Sequence, residues 1–121
     1  MEIDFYNKSG KPIAYTEDGT LIYNYSGKPV GYFDGDAVYS FSGNHVGWFE
    51  DGWIRDTGGK CVFFSDSASG GPAKPIKGVK PVKSVKYILP INGVKSVKPV
   101  KPVKPVNSLL WSSLSAEQFF A

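Results

Sequence analysis

The segment SGKP occurs at Ser9–Pro12 and again at Ser26–Pro29, and the similarity extends beyond it. Ser-Gly returns at Ser42–Gly43 and a worn copy follows at Gly58–Gly59, so Gly10, Gly27, Gly43 and Gly59 mark a period of 17, 16 and 16 residues. Such a repeat constrains a fold strongly, because each copy must be one supersecondary unit that buries its apolar face against its neighbours. Between the anchors lies a second turn, at Asp18–Gly19, Asp34–Gly35–Asp36 and Asp51–Gly52. Asp-Gly is a hairpin signal because its backbone reaches φ > 0 at little cost. Four to six residues rich in aromatic and β-branched side chains separate the turns, which is strand composition at strand length.

Counted from each anchoring glycine, the columns agree. Five before stand Phe5, Ile22, Val38 and Ile54; three after stand Ile13, Val30, Val46 and Val62; five after stand Tyr15, Tyr32, Trp48 and Phe64. The last two columns differ by two positions and are expected to share one strand face. Between them Ala14, Gly31 and Gly47 leave room for a close approach, and Phe63 breaks that column. Residues 2–66 are therefore predicted to form eight short antiparallel strands in four repeated β-hairpins, an all-β head over residues 1–68. One hairpin alone is marginal in water. An open row of four leaves two exposed edges, so an approximately four-fold closed arrangement is preferred.

The glycine-anchored quadruplicate, with an aromatic and an acidic position in each copy, resembles the four-fold β-flower proteins. The basic triplet tail and the ending LLWSSLSAEQFF are similar to versions of that family. The resemblance implies a fold and a small, mainly bacterial protein without an established activity, and it carries over no functional residue. The fourth copy, DTGGKCVFFSD, departs most from the pattern, and the four-fold count requires that it still form its hairpin.

From Lys74 the texture changes. Ile76, Val79, Val82, Val85, Ile88, Ile91, Val94, Val97, Val100, Val103 and Val106 recur every third residue, with Lys two before most of them. That period belongs to polyproline II, not to an α-helix or a flat strand, and the prolines oppose both alternatives. Residues 69–107 are read as an extended Lys/Pro/Val tail; low complexity alone would mean a disordered linker, whereas the strict spacing of a β-branched residue suggests that this edge packs on something. LPING at Leu89–Gly93 carries turn chemistry and is expected to double the tail back. Charge suggests the partner. Residues 1–71 carry ten acids against four lysines and Arg55, a balance of −5, whereas residues 72–121 carry nine lysines and only Glu117, a balance of +8. A basic tail often marks nucleic acid or an anionic membrane, but here the nearest anionic surface is the protein's own head, in cis or on a neighbouring copy. A homo-oligomer is compatible with either arrangement, and a protein partner is not identified.

Residues 108–121 return to large apolar groups. Ser115 with Gln118 fits a capping box for a short helical turn. Leu109, Leu110, Trp111, Leu114, Phe119 and Phe120 form either a plug on the core or in a dimer interface, or a motif read by a partner.

Chemistry is sparse. Glu17, Asp34, Glu50 and Asp66 stand seven after each anchor. Acids at turns commonly cap local backbone; these four are also candidates to receive tail lysines, or to converge on a cation such as Ca²⁺. Tyr6, Tyr23 and Tyr39, joined by Trp53, are expected on the outer side, as an aromatic platform of the kind that docks sugars or proline-rich peptides. His45 is read as a surface turn residue and Cys61, the only cysteine, as a half-buried strand residue. No catalytic residue, metal ligand or cofactor motif is identified. The expectation is a non-enzymatic structural or protein-interaction module, cytoplasmic in the absence of a visible secretory signal or transmembrane segment. The alternatives are carbohydrate or cell-surface polymer binding through the aromatics, and nucleic-acid or anionic-membrane binding through the lysine row.

Overall fold

A computed structural model of the chain describes residues 2–86 and 104–121. Eight strands follow in chain order: β1 (Ile3–Tyr6), β2 (Pro12–Thr16), β3 (Leu21–Asn24), β4 (Pro29–Asp34), β5 (Ala37–Ser40), β6 (His45–Glu50), β7 (Trp53–Asp56) and β8 (Cys61–Phe64). Each pairs antiparallel with the next, and Tyr6 of β1 meets Phe64 of β8, so the sheet closes into a barrel. The fourth copy does form its hairpin, β7 on β8. It keeps the turn because Asp56 does what Asn7 and Asn24 do in copies one and two. Each side-chain oxygen accepts from two turn N–H groups: Ser9 and Lys11 on Asn7, Ser26 and Lys28 on Asn24, Gly58 and Lys60 on Asp56, all within 2.9–3.1 Å.

One expectation about facing is corrected. In every hairpin the register slips by one residue, between Phe5/Tyr6, Ile22/Tyr23, Val38/Tyr39 and Ile54/Arg55. Ile13, Val30, Val46 and Val62 are the extra residues, four copies of one β-bulge. A bulge breaks the period of two, so this column and the column two later do not share a face. Ile13, Val30, Val46 and Val62 pack on the inner core with Phe5, Ile22, Val38 and Ile54. Tyr15, Tyr32, Trp48 and Phe64 belong to separate clusters on the outer wall. The inner core is completed by Phe33 and Phe49, whose rings lie 5.4 Å apart and 6.1 and 5.8 Å from Phe5.

The C-terminal segment closes one mouth of this core. Helix α1 (Ala116–Phe119) starts with the predicted capping box: Ser115 Oγ accepts from Gln118 N–H, and Ser115 N–H donates to Gln118 Oε1. Phe119 is buried in the core, edge-on to Phe63 at 5.6 Å, and Phe120 stacks on Phe63 at 5.7 Å. The small column has two reasons. A Cβ on Gly31 would stand 2.5 Å from the Tyr39 carbonyl oxygen and 3.2 Å from the Phe120 ring; on Gly47 it would stand 1.9 Å from the Arg55 carbonyl oxygen and 3.1 Å from Phe119. Leu109 and Leu110 are not part of the plug: they are 68% and 63% exposed. Just beside them, Cys61 N–H donates to Leu110 O and Ser112 N–H to Cys61 O, which lays this stretch along β8. Cys61 is fully buried, and burial pushes its thiol up from the ordinary value.

Among the described residues no helix is long and apolar enough to cross a membrane. The expected reversal at Leu89–Gly93 lies outside the described residues, as do the triplets from Ile88 to Val103.

Candidate functional site

The outer wall is built from two columns that meet between copies. The residue five after one anchor lies beside the residue four before the next: Tyr15 on Tyr23 at 6.0 Å, Tyr32 on Tyr39 at 5.1 Å and, across the closure, Phe64 on Tyr6 at 5.3 Å. The remaining junction pairs Trp48 with Arg55, in register on β6 and β7. These rings are not an exposed platform. Tyr6, Tyr23, Tyr39 and Trp53 are all buried. Trp53 lies under the chain that leaves the barrel, its Nε1–H donating to Ser69 O at 2.9 Å and its ring edge-on to Trp111 at 5.5 Å. His45 likewise is no surface turn residue. It begins β6, half-buried, 5.4 Å from the Tyr39 ring and 4.7 Å from the Trp48 ring.

The described tail lies across these rings with its lysines inward. Lys77 Nζ stands 5.7 Å from the centre of Tyr6, Lys83 4.4 Å from Tyr15, Lys86 5.0 Å from Tyr23 and Lys104 5.3 Å from Trp48. Each ammonium also reaches carboxylate. Lys77 pairs with Asp66, Lys83 with Glu2 and, at 4.0 Å, with Glu17, Lys86 with Glu17, and Lys104 with Asp36 and, at 2.8 Å, with Glu50. Lys80 adds a 3.1 Å pair to Asp4, whose other oxygen accepts from the Tyr25 hydroxyl at 2.8 Å. Burial first, and then that bond, push the Tyr25 phenol far above its ordinary range.

Three of the four sequence-marked acids, Glu17, Glu50 and Asp66, thus meet described tail lysines. Asp34 ends β4 opposite Ala37. Glu2, Asp4 and Asp36 lie outside the marked column and were not singled out by it. Beside Glu17 the local backbone-capping role falls to Asp18, one residue on. Burial opposes its ionisation, but the N–H groups of Thr20 and Leu21 outweigh that and hold its carboxyl below the usual value. Among the described residues no group of three or more His, Cys, Asp or Glu is placed to hold a metal ion.

The facing of the tail is the reverse of what was expected. Ile76, Val79, Val82 and Val85 are each more than 90% exposed, and the lysine edge makes the contacts. The facing repeats every third residue, the period of polyproline II. The lysine edge prevails because a long stem covers aromatic surface while its head stays polar; a valine edge would leave the acids unpaired. The backbone takes part as well. Gly78 N–H donates to Gly10 O, Ser84 N–H to Tyr25 O and Ser108 N–H to Gly59 O. Gly10 and Gly27 carry φ of 82° and 90°, and a Cβ there would lie 2.0 and 2.1 Å from the carbonyl oxygens of Ile76 and Val85. The anchors are therefore glycine for two reasons, the turn and the passing chain.

Arg55, the only arginine, was missed as a functional group. It occupies the column of Tyr6, Tyr23 and Tyr39. It is 2% exposed, and its Nη1 donates to Gly59 O at 2.9 Å and Ser108 O at 2.6 Å. A cation replacing a tyrosine in an otherwise aromatic column was the available signal.

Hydrogen bonding to Asp66, Asp4 and Asp36 respectively raises the Lys77, Lys80 and Lys104 ammoniums, and hydrogen bonds from Lys104 and Asn107 lower Glu50. A raised lysine favours docking below its free value of about 10.4 and loses that favour as pH rises through the docked value. A depressed carboxylate favours docking above its free value of about 4.3 and loses it as pH falls through the docked value. Docking should therefore hold across the neutral range and fail at both extremes. The ¹H–¹³C signals of the lysine ε-methylenes, shifted by the rings beneath them, would report it; a midpoint near neutrality would contradict this assignment.

A family model described as 4-fold beta flower protein matches residues 3–120. Neither a curated protein nor a solved structure matches the chain.

Proposed function

We propose, from the premise that the chain belongs to the 4-fold beta flower family, that it is a non-enzymatic protein-interaction module whose barrel wall reads lysine-triplet peptide and is occupied by its own tail. One observation carries this reading: Lys77, Lys83, Lys86 and Lys104 each sit over an aromatic ring with at least one carboxylate on the ammonium. An exposed ion pair alone contributes little, and so does an exposed cation–ring contact. Repetition at a fixed spacing along one chain is what gives the wall affinity and register, since each further contact is intramolecular.

The test is competition in trans. In the full chain Lys77, Lys80, Lys83 and Lys86 are changed to glutamine, which leaves the barrel wall intact and weakens its own ligand. A labelled peptide of residues 72–86 is then added. The variant should bind it, more weakly as salt rises, and the unaltered protein should not. Equal binding by both, or none by the variant, would overturn the reading.

A further inference from the structure

Beyond that reading, we infer that the plugged mouth of the barrel is a binding site for a small amphipathic anion, an apolar chain ending in a carboxylate. Helix α1 covers the mouth incompletely. On one side of it lies an open-sided groove of about 410 Å³, on the other one of about 310 Å³. Both fall within the usual range of ligand pockets. The larger has an apolar floor of Ile13, Ala14, Val30 and Phe120, and Lys28 at its rim. The smaller is floored by Ile13, Val62 and Phe63, with Lys8 and Lys11 at its rim.

The two grooves are the same feature of the repeat seen twice. Lys11 and Lys28 each follow an anchoring glycine, and Ile13 and Val30 are the bulged residues of the same copies. The inner core therefore reaches the surface at each groove beside a cation. These lysines differ from the tail lysines in one decisive respect: among the described residues none of Lys8, Lys11 and Lys28 is paired with a carboxylate. Glu117, on α1, is the one acid lining either groove, and it lines both. Across the mouth three exposed ammoniums face one exposed carboxylate; the larger groove sets Lys28 against Glu117, and the smaller sets Lys8 and Lys11 against the same acid, so the excess of positive charge lies at the smaller groove. The ligand that fits places hydrocarbon on Ile13, Val30 and Phe120 and its anionic end at Lys28 or Lys11.

Decanoate serves as the probe, titrated into the full chain and followed in ¹H–¹⁵N spectra, with decanol and acetate as controls. Decanoate should give saturable shifts confined to the turns holding Lys11 and Lys28 and to residues 112–120, and acetate should give none. Lys28→Gln together with Lys11→Gln should weaken decanoate about three- to fivefold while leaving decanol unchanged. Glu117→Gln should tighten decanoate. Unsaturable or scattered shifts, or equal loss of decanol and decanoate in the lysine variant, would overturn the proposal. So would capture of the protein by anionic phospholipid vesicles without any response to decanoate, because the mouth would then be a surface for a lipid bilayer and not a groove for a single chain.

Discussion

Replacing Phe119 with alanine should lower the unfolding free energy by about 3–5 kcal/mol, the usual cost of truncating a phenylalanine in a packed core. The ring is 2% exposed, lies in the inner core with Phe5, Ile22 and Val38, and meets Phe63 and Phe120 at 5.6 and 5.0 Å. Its removal leaves a void that the surrounding strands cannot close, because their backbones are tied into a ring. Phe120→Ala should cost less, since that side chain is only partly buried. Denaturant melts of the two variants beside the unaltered chain make the comparison. A loss below about 1 kcal/mol for Phe119→Ala would mean that the segment only rests on the barrel.

Arg55→Met should destabilise by about 2 kcal/mol, chiefly through the Ser108 carbonyl it leaves without that donor, since Gly59 O still accepts from Ser108 N–H. The guanidinium is the donor to both Gly59 O and Ser108 O, so one substitution loosens the start of the C-terminal segment on the fourth hairpin, whose turn keeps its Asp56 cap. Lysine should recover little. A flexible ammonium does not reproduce the planar fork of a guanidinium. The amides of Cys61 and Ser112, which hold that segment along β8, report the effect. Their hydrogen exchange should quicken in Arg55→Met far more than that of Phe5 or Ile22. Uniform acceleration across the barrel would assign Arg55 to general packing instead.

The repeat was legible because turn chemistry is local. An anchoring glycine and an Asp-Gly pair fix where strands stop, and residue type between them fixes which columns are apolar. Closure followed from the same argument, since four equivalent hairpins with no natural end are best satisfied by a ring. The phase of the faces was not legible from counting alone. A bulge is a backbone event, and it moved Tyr15, Tyr32, Trp48 and Phe64 to the outer wall. Pro12 and Pro29 were its sequence trace, since proline sits in a sheet where the ladder is already broken. The tail's facing does not follow from its apolar period, because charge outweighs hydrophobicity there. On a surface that already holds Glu2, Asp4, Glu17 and Asp36, the lysine stem supplies the apolar cover and its head supplies the counter-charge. The grooves beside α1 were not legible at all, because they depend on how that segment falls short of filling a mouth formed by strand residues far from it in sequence.

The outward edge at Ile76, Val79, Val82 and Val85 leaves one letter in three of the described tail unread by the barrel. Anything spelled there, polar or greasy, travels with the chain while the grip underneath stays the same. A protein built this way holds its strap by two columns and keeps the third as blank margin, on which a separate message can be written without loosening the binding.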